Sequence, residues 1–104
     1  MAAQIMTPEH KEKLIINRKV LVKSINDKLI YSGLLQESIC TTRELTNIIA
    51  ERTRQKEVKK LLYILQRKPD EAYKRFIKTL RQTGHEHIAN LLEPRDFIIS
   101  QTSN

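Results

Sequence analysis

Apolar side chains recur along this chain at intervals of three and four, and nowhere do they alternate over a strand-length run. The pattern is densest between Arg54 and Gln66, where Val58, Leu61, Leu62 and Leu65 fall at i, i+3, i+4 and i+7 and draw one stripe along a helix. Tyr63 and Ile64 widen that stripe. Arg54, Lys56, Lys59 and Lys60, against the single acid Glu57, keep the first two turns polar. This segment is expected to be the helix around which the others pack, with a wall facing the core and a cationic shoulder.

Further elements follow in order. Residues 1–7 read as a flexible N-terminus. Thr7-Pro8-Glu9 supplies an N-cap, a proline at the first helical position and an acid in the first turn, so a helix should run to about Ile25. On a straight helix Leu14, Ile15, Leu21, Val22 and Ile25 share one side, with Arg18 in its middle. Burying an unpaired guanidinium is costly, so a bend near Asn17–Arg18 that turns Arg18 outward is expected; the alternative is a straight helix from which Arg18 snorkels. Asn26 or Asp27 can cap a second helix, about 28–37, with Leu29, Ile30, Tyr31, Leu34 and Leu35 inward. Gly33 inside it costs ~1 kcal/mol relative to Ala and implies close approach of another helix.

After a link at 38–40, Thr41-x-x-Glu44 is a capping-box pattern that opens a third helix to about Arg52, burying Leu45, Ile48 and Ile49. Thr53 caps the fourth. Pro69-Asp70-Glu71 opens a fifth, with Ala72, Tyr73, Phe76, Ile77 and Leu80 inward, and Lys74, Arg75, Lys78 and Arg81 toward water; Gly84 stops it. A last helix, 85–93, buries Ile88, Leu91 and Leu92. Residues 94–104 read as a flexible tail or linker. The sum is an all-α fold, a six-helix antiparallel bundle with a bent first helix, in one domain over 8–93.

Composition narrows what such a bundle can do. With 39% hydrophobic and 5% aromatic residues and no Trp, Leu and Ile must build the core. Cys40 is the single cysteine, which excludes an internal disulfide and an all-cysteine zinc site. It has no base beside it and reads as a small, partly buried apolar residue. His85 and His87 diverge on a helix and His10 is remote in sequence, so the histidines read as surface residues and no metal or other cofactor is expected. No phosphate-binding glycine loop, Gly-x-Ser-x-Gly or HExxH occurs, so no catalytic residue is assigned. No stretch resembles a signal peptide or approaches the ~20 apolar residues of a membrane span. These features point to a reducing setting, cytoplasmic or nuclear, without a membrane partner.

Charge is the informative part. Lys and Arg total 19 against 12 acids, a formal charge of +7 with an isoelectric point near 9.8, which favours anionic partners. Basic residues gather on the first helix (Lys11, Lys13, Arg18, Lys19 and Lys23), early in the fourth and on the fifth; Glu37, Glu44 and Glu51 lie on the second and third. Separate positive and negative faces can pair head to tail; an ordinary mixed surface is the alternative. A nucleic-acid binder is a weaker reading, because no zinc-finger spacing supports it and aromatics do not alternate with the basic residues.

Leu61-Leu62-x-x-Leu65, Ala72-Tyr73-x-x-Phe76-x-x-x-Leu80 and Gly84-His85-x-x-Ile88-Ala89-x-x-Leu92 together resemble the signature of caspase-recruitment domains of the death-fold superfamily. Asn17-Arg18-x-x-Leu21-Val22 is similar as well, and Gly84-His85-Glu86 before Leu92-Glu93-Pro94 is most like the prodomains of initiator caspases. The resemblance covers residues 10–93. It implies a six-helix bundle with a bent first helix that acts by homotypic binding to an adaptor or caspase in apoptosis signalling, with self-oligomers possible. It implies a basic partner-binding face at Arg18 and Lys59, with Arg54 and Lys56 nearby, and an acidic face at Glu37 and Glu44. A stand-alone adaptor or a decoy inhibitor is the alternative to a prodomain. Two departures from the family stand out. Pro69 replaces a common glycine after the fourth helix, and the acidic face is thin, so self-association is expected to be weaker than binding to a more acidic adaptor.

Overall fold

A computed structural model describes residues 5–25 and 28–94, which contain seven helices and no strand. They are α1 (Pro8–Ile16), α2 (Arg18–Ser24), α3 (Leu29–Gln36), α4 (Thr42–Ile49), α5 (Arg54–Leu65), α6 (Asp70–Gln82) and α7 (Glu86–Leu92). Where one helix over 8–25 was expected, Asn17 separates two: its φ of −95° and ψ of 10° leave the helical region. Its backbone N–H and its side-chain Nδ2 both donate to the Lys13 carbonyl, at 3.1 and 2.9 Å. Asparagine competes for helical hydrogen bonds in this way. The described residues therefore hold seven helical segments where six were expected, and Arg18, at the start of α2, is exposed.

Local signals place the other helix starts. Thr41 and Glu44 form both bonds of the capping box, Thr41 N–H to Glu44 Oε1 at 2.9 Å and Glu44 N–H to Thr41 Oγ1 at 3.1 Å. Thr53 Oγ1 accepts from the Lys56 amide at 3.1 Å and caps α5. Pro69 precedes α6 and Asp70 opens it. At its far end Gly84, with φ of 83°, turns the chain in the left-handed region where glycine is unstrained. The cap expected from Asn26 or Asp27 and the tail beyond Pro94 lie outside the described residues.

Two helices share the centre. On α5, Val58, Leu61, Leu62 and Leu65 are buried, and this helix packs against α2 and α4. On α6, Ala72, Tyr73, Phe76, Ile77, Thr79 and Leu80 are buried, and this helix packs against α3 and α7. The largest fully buried side chains are those of Tyr73 and Phe76, so α5 is one of two hubs. Tyr73 also donates from its hydroxyl to the Leu92 carbonyl at 2.8 Å, fastening α7 to α6. Met6, expected in a loose terminus, is buried in the core, and the Thr7 amide donates to Asp70 Oδ1 at 2.8 Å.

Other side chains depart from the expected stripes. Ile15, Leu35, Ile49 and Leu91 are exposed at the edges of their stripes, where no described neighbouring helix covers them. Leu29 and Tyr63 are exposed because they fall on the side of their helices away from the buried residues. Arg81, expected toward water, keeps only 17% of its side chain exposed and binds Glu86, Asn90 and the Glu93 carbonyl at 2.7–2.9 Å.

The close approach expected at Gly33 is made by α6. A Cβ at this position would lie 2.5 Å from Thr79 Cγ2. Thr79 is fully buried and its hydroxyl is held by the Arg75 carbonyl at 3.0 Å, so its methyl has little room to yield. Gly33→Ala gains up to ~1 kcal/mol of helix propensity but overpacks a site where such insertions cost about 1–3 kcal/mol. The expected outcome is a net loss of stability in chemical denaturation. Thr79→Ser keeps the hydroxyl, removes the methyl, and should restore most of the loss in the double variant. A stabilised single variant would contradict the close packing of α3 on α6.

Candidate protein-interaction surface

The seam between α2 and α5 carries a cationic groove. Leu21 from α2 and Leu61 and Leu62 from α5 are buried, which turns the flanking positions of both helices outward. Arg18, Lys19, Val22 and Lys23 from α2, and Gln55 and Lys59 from α5, line a groove of about 390 Å³. Val22 is partly buried against the core and supplies apolar wall. The four cations are exposed, no acid lines the groove, and none of the four makes an ion pair among the described residues. Like charges gathered without an acid repel one another, and an anionic partner removes that cost.

Arg18 and Lys59, read from sequence as a basic face, thus meet in one place. Lys19 and Lys23 join them; their spacing from Arg18 was visible in the sequence, but the position of α5 that makes them neighbours of Lys59 was not. Arg54 is not part of the groove. Its Nε lies 3.3 Å from Glu57 Oε1 and its guanidinium sits over the Tyr31 ring at 5.9 Å. Tyr31 donates from its hydroxyl to Glu57 as well. Burial pushes that hydroxyl's pKa up, and the Glu57 hydrogen bond and charge push it further. Arg54 therefore ties α5 to α3. Lys56 is exposed and lies outside the groove lining.

The acidic residues are already engaged. Glu37 ends α3 with its side chain 19% exposed; its carboxylate lies 3.3 Å from Lys78 Nζ, and its carbonyl accepts from Arg75 at 2.9 Å. Glu44 receives Lys68 Nζ at 2.8 Å in addition to the Thr41 amide. Burial pushes the Glu44 carboxyl up, but the hydrogen bonds from Lys68 and Thr41 together outweigh it and hold the group below its ordinary pKa. Glu51 pairs with Lys60 at 3.7 Å. Each expected acidic position thus has a lysine of its own chain beside it.

The remaining reactive side chains have structural surroundings. Cys40 is buried, and burial, with the Glu44 charge added, pushes its thiol up to about 11. Contrary to the expectation of surface histidines, His85 is 5% exposed with Nδ1 2.9 Å from Thr83 Oγ1. His10 stacks on Tyr73 at 4.0 Å between centroids and lies 2.9 Å from Asp70 Oδ1. Among the described residues no three His, Cys, Asp or Glu side chains are grouped to hold a metal ion, and no helix is long and apolar enough to cross a membrane.

A small helical bundle with a cationic seam between two helices offers a surface suited to an anionic partner. The family model described as caspase recruitment domain matches residues 11–95, and this chain belongs to that family. It is accordingly a non-catalytic, homotypic interaction module of apoptotic or inflammatory signalling, built on a death-fold helical bundle. No curated protein matches the chain at a stringent threshold.

Proposed function

We propose that this domain recruits an initiator caspase to its adaptor in apoptosis signalling, in the cytoplasm, by seating an acidic face of a partner recruitment domain in the α2–α5 groove. In this reading α1 and α2 together form the bent first helix of a six-helix death fold. The observation that carries the proposal is the groove itself, where Arg18, Lys19, Lys23 and Lys59 converge with no acid in the lining. Arg18 is suited to grip a carboxylate through two parallel hydrogen bonds, and Val22 gives the contact a dry centre. The caspase side of the assignment rests on the resemblance of Gly84-His85-Glu86 and Leu92-Glu93-Pro94 to initiator-caspase prodomains. Calorimetric titration against a panel of purified recruitment domains with acidic or basic faces tests the reading. Binding should be confined to acidic faces and weaken as salt rises; indifference to the partner's charge would sink it.

The +7 charge also attracts nucleic acid, and the two kinds of partner separate by salt dependence. The groove's four cations would give a slope of about −0.9 per phosphate neutralised on duplex DNA. Only weak binding that disappears near ~150 mM salt is expected, measured by fluorescence anisotropy with a labelled duplex and a labelled single strand. Tight, steeply salt-dependent binding at that ionic strength would favour a nucleic-acid function instead.

A further inference from the structure

We infer that the groove is built for a different, acidic recruitment domain and not for a second copy of this chain, because the chain's own lysines neutralise the acids that a second copy could offer from α3, α4 and the residues just after them. The inference rests on the groove being the docking site, and it specifies the occupant. Glu37, Glu44 and Glu51 lie on and just after α3 and α4, and each has an internal cation: Lys78 at 3.3 Å, Lys68 at 2.8 Å and Lys60 at 3.7 Å. These pairings cross between elements, from just after α3 to α6, from α4 to just after α5, and from just after α4 to α5.

Two consequences follow from the pairing. An internal lysine is present at the high effective concentration of a tethered group, so the Arg18 and Lys59 of another copy must displace it and leave it unpaired. Each lysine also places positive charge beside the acid, where the incoming groove is positive too, and the two whole copies repel through +7 each. Glu44 is further held by its capping role, since its carboxylate accepts the Thr41 amide at 2.9 Å. Through α3, α4 and the residues just after them, one copy therefore offers no acid without a lysine beside it. Binding stops at one acidic partner per groove and does not propagate from copy to copy through these faces.

The test uses the chain and two sets of variants in sedimentation velocity, at high micromolar concentration and at low and physiological salt. Wild type should remain monomeric at both. Replacing the masking lysines, Lys60→Gln, Lys68→Gln and Lys78→Gln together, keeps most of each aliphatic stem and frees the three carboxylates. This variant should associate with itself about tenfold or more tightly than wild type does, and adding Arg18→Glu to it should abolish the gain. Salt-sensitive oligomers of wild type that Arg18→Glu disperses would overturn the inference, as would a folded triple variant with no gain. Should the triple variant lose its helical spectrum, the wild-type measurement decides alone. An acidic domain that binds at the groove while wild type also self-associates there refutes only this inference; failure of every acidic domain to bind refutes the docking site itself.

Discussion

Arg18→Glu and Lys59→Glu are each expected to weaken binding to an acidic recruitment domain by about 2–5 kcal/mol, the usual cost of removing a desolvated interfacial charge, while the fold stays intact. Both side chains line the α2–α5 groove and are exposed, and substitutions at such positions usually move folding stability by under about 0.5 kcal/mol. A melting curve close to wild type should accompany the loss of affinity. Reversal does more than remove an attraction, because the new carboxylate faces the partner's own acids. Reversing one acid on the partner should therefore recover part of the loss, as coupling in a double-mutant cycle. Lys13→Glu, which lies on α1 outside the groove, should matter less. Arg18→Lys separates two roles: it keeps the charge but gives up the planar fork, so an intermediate loss would identify bidentate contact. Early melting would make Arg18 a structural residue, and unchanged affinity in folded variants would move recruitment to another face.

What the sequence made legible is what local chemistry decides. The Thr41–Glu44 capping box, the Thr53 cap and the Gly84 stop each act within a few residues, and all three are formed. The core positions of α5 and α6 were readable because a full period of apolar residues faces inward. The edges of the stripes were not, since whether Leu35 or Ile49 is covered depends on where the neighbouring helices lie and not on the helix that carries them. The groove divides in the same way. Arg18 and Lys59 could be assigned outward by elimination, as Leu21, Leu61 and Leu62 claim the core. Glu37 and Glu44 looked equally available, yet their lysines come from 41 and 24 residues away. The surroundings of Arg54 were hidden for a related reason, because the Tyr31 ring beneath it belongs to another helix. Local patterns placed individual charges; long-range packing decided which of them are left for a partner.

Leu62→Ala should be the most damaging single substitution to the fold among those considered, at about 2–5 kcal/mol. Leu62 is 1% exposed on α5, the helix that packs against both α2 and α4, so truncation opens a cavity that helices on two sides would have to collapse to fill. Domains of this size hold a total of about 5–15 kcal/mol, and 1 kcal/mol corresponds to roughly 4–8 °C of melting temperature. The variant should melt many degrees early in far-ultraviolet circular dichroism and lose binding only because less of it is folded. Leu35→Ala provides the control of identical chemistry. Leu35 belongs to a stripe that the sequence also reads as inward, but it is 46% exposed, so it loses less burial and leaves no enclosed cavity; its cost should stay below about 1 kcal/mol. A Leu62→Ala loss under that figure would remove α5 from the centre of the fold. Equal losses at the two leucines would mean that α3 buries its outer edge in solution, and that the bundle is packed more tightly there than the structure describes.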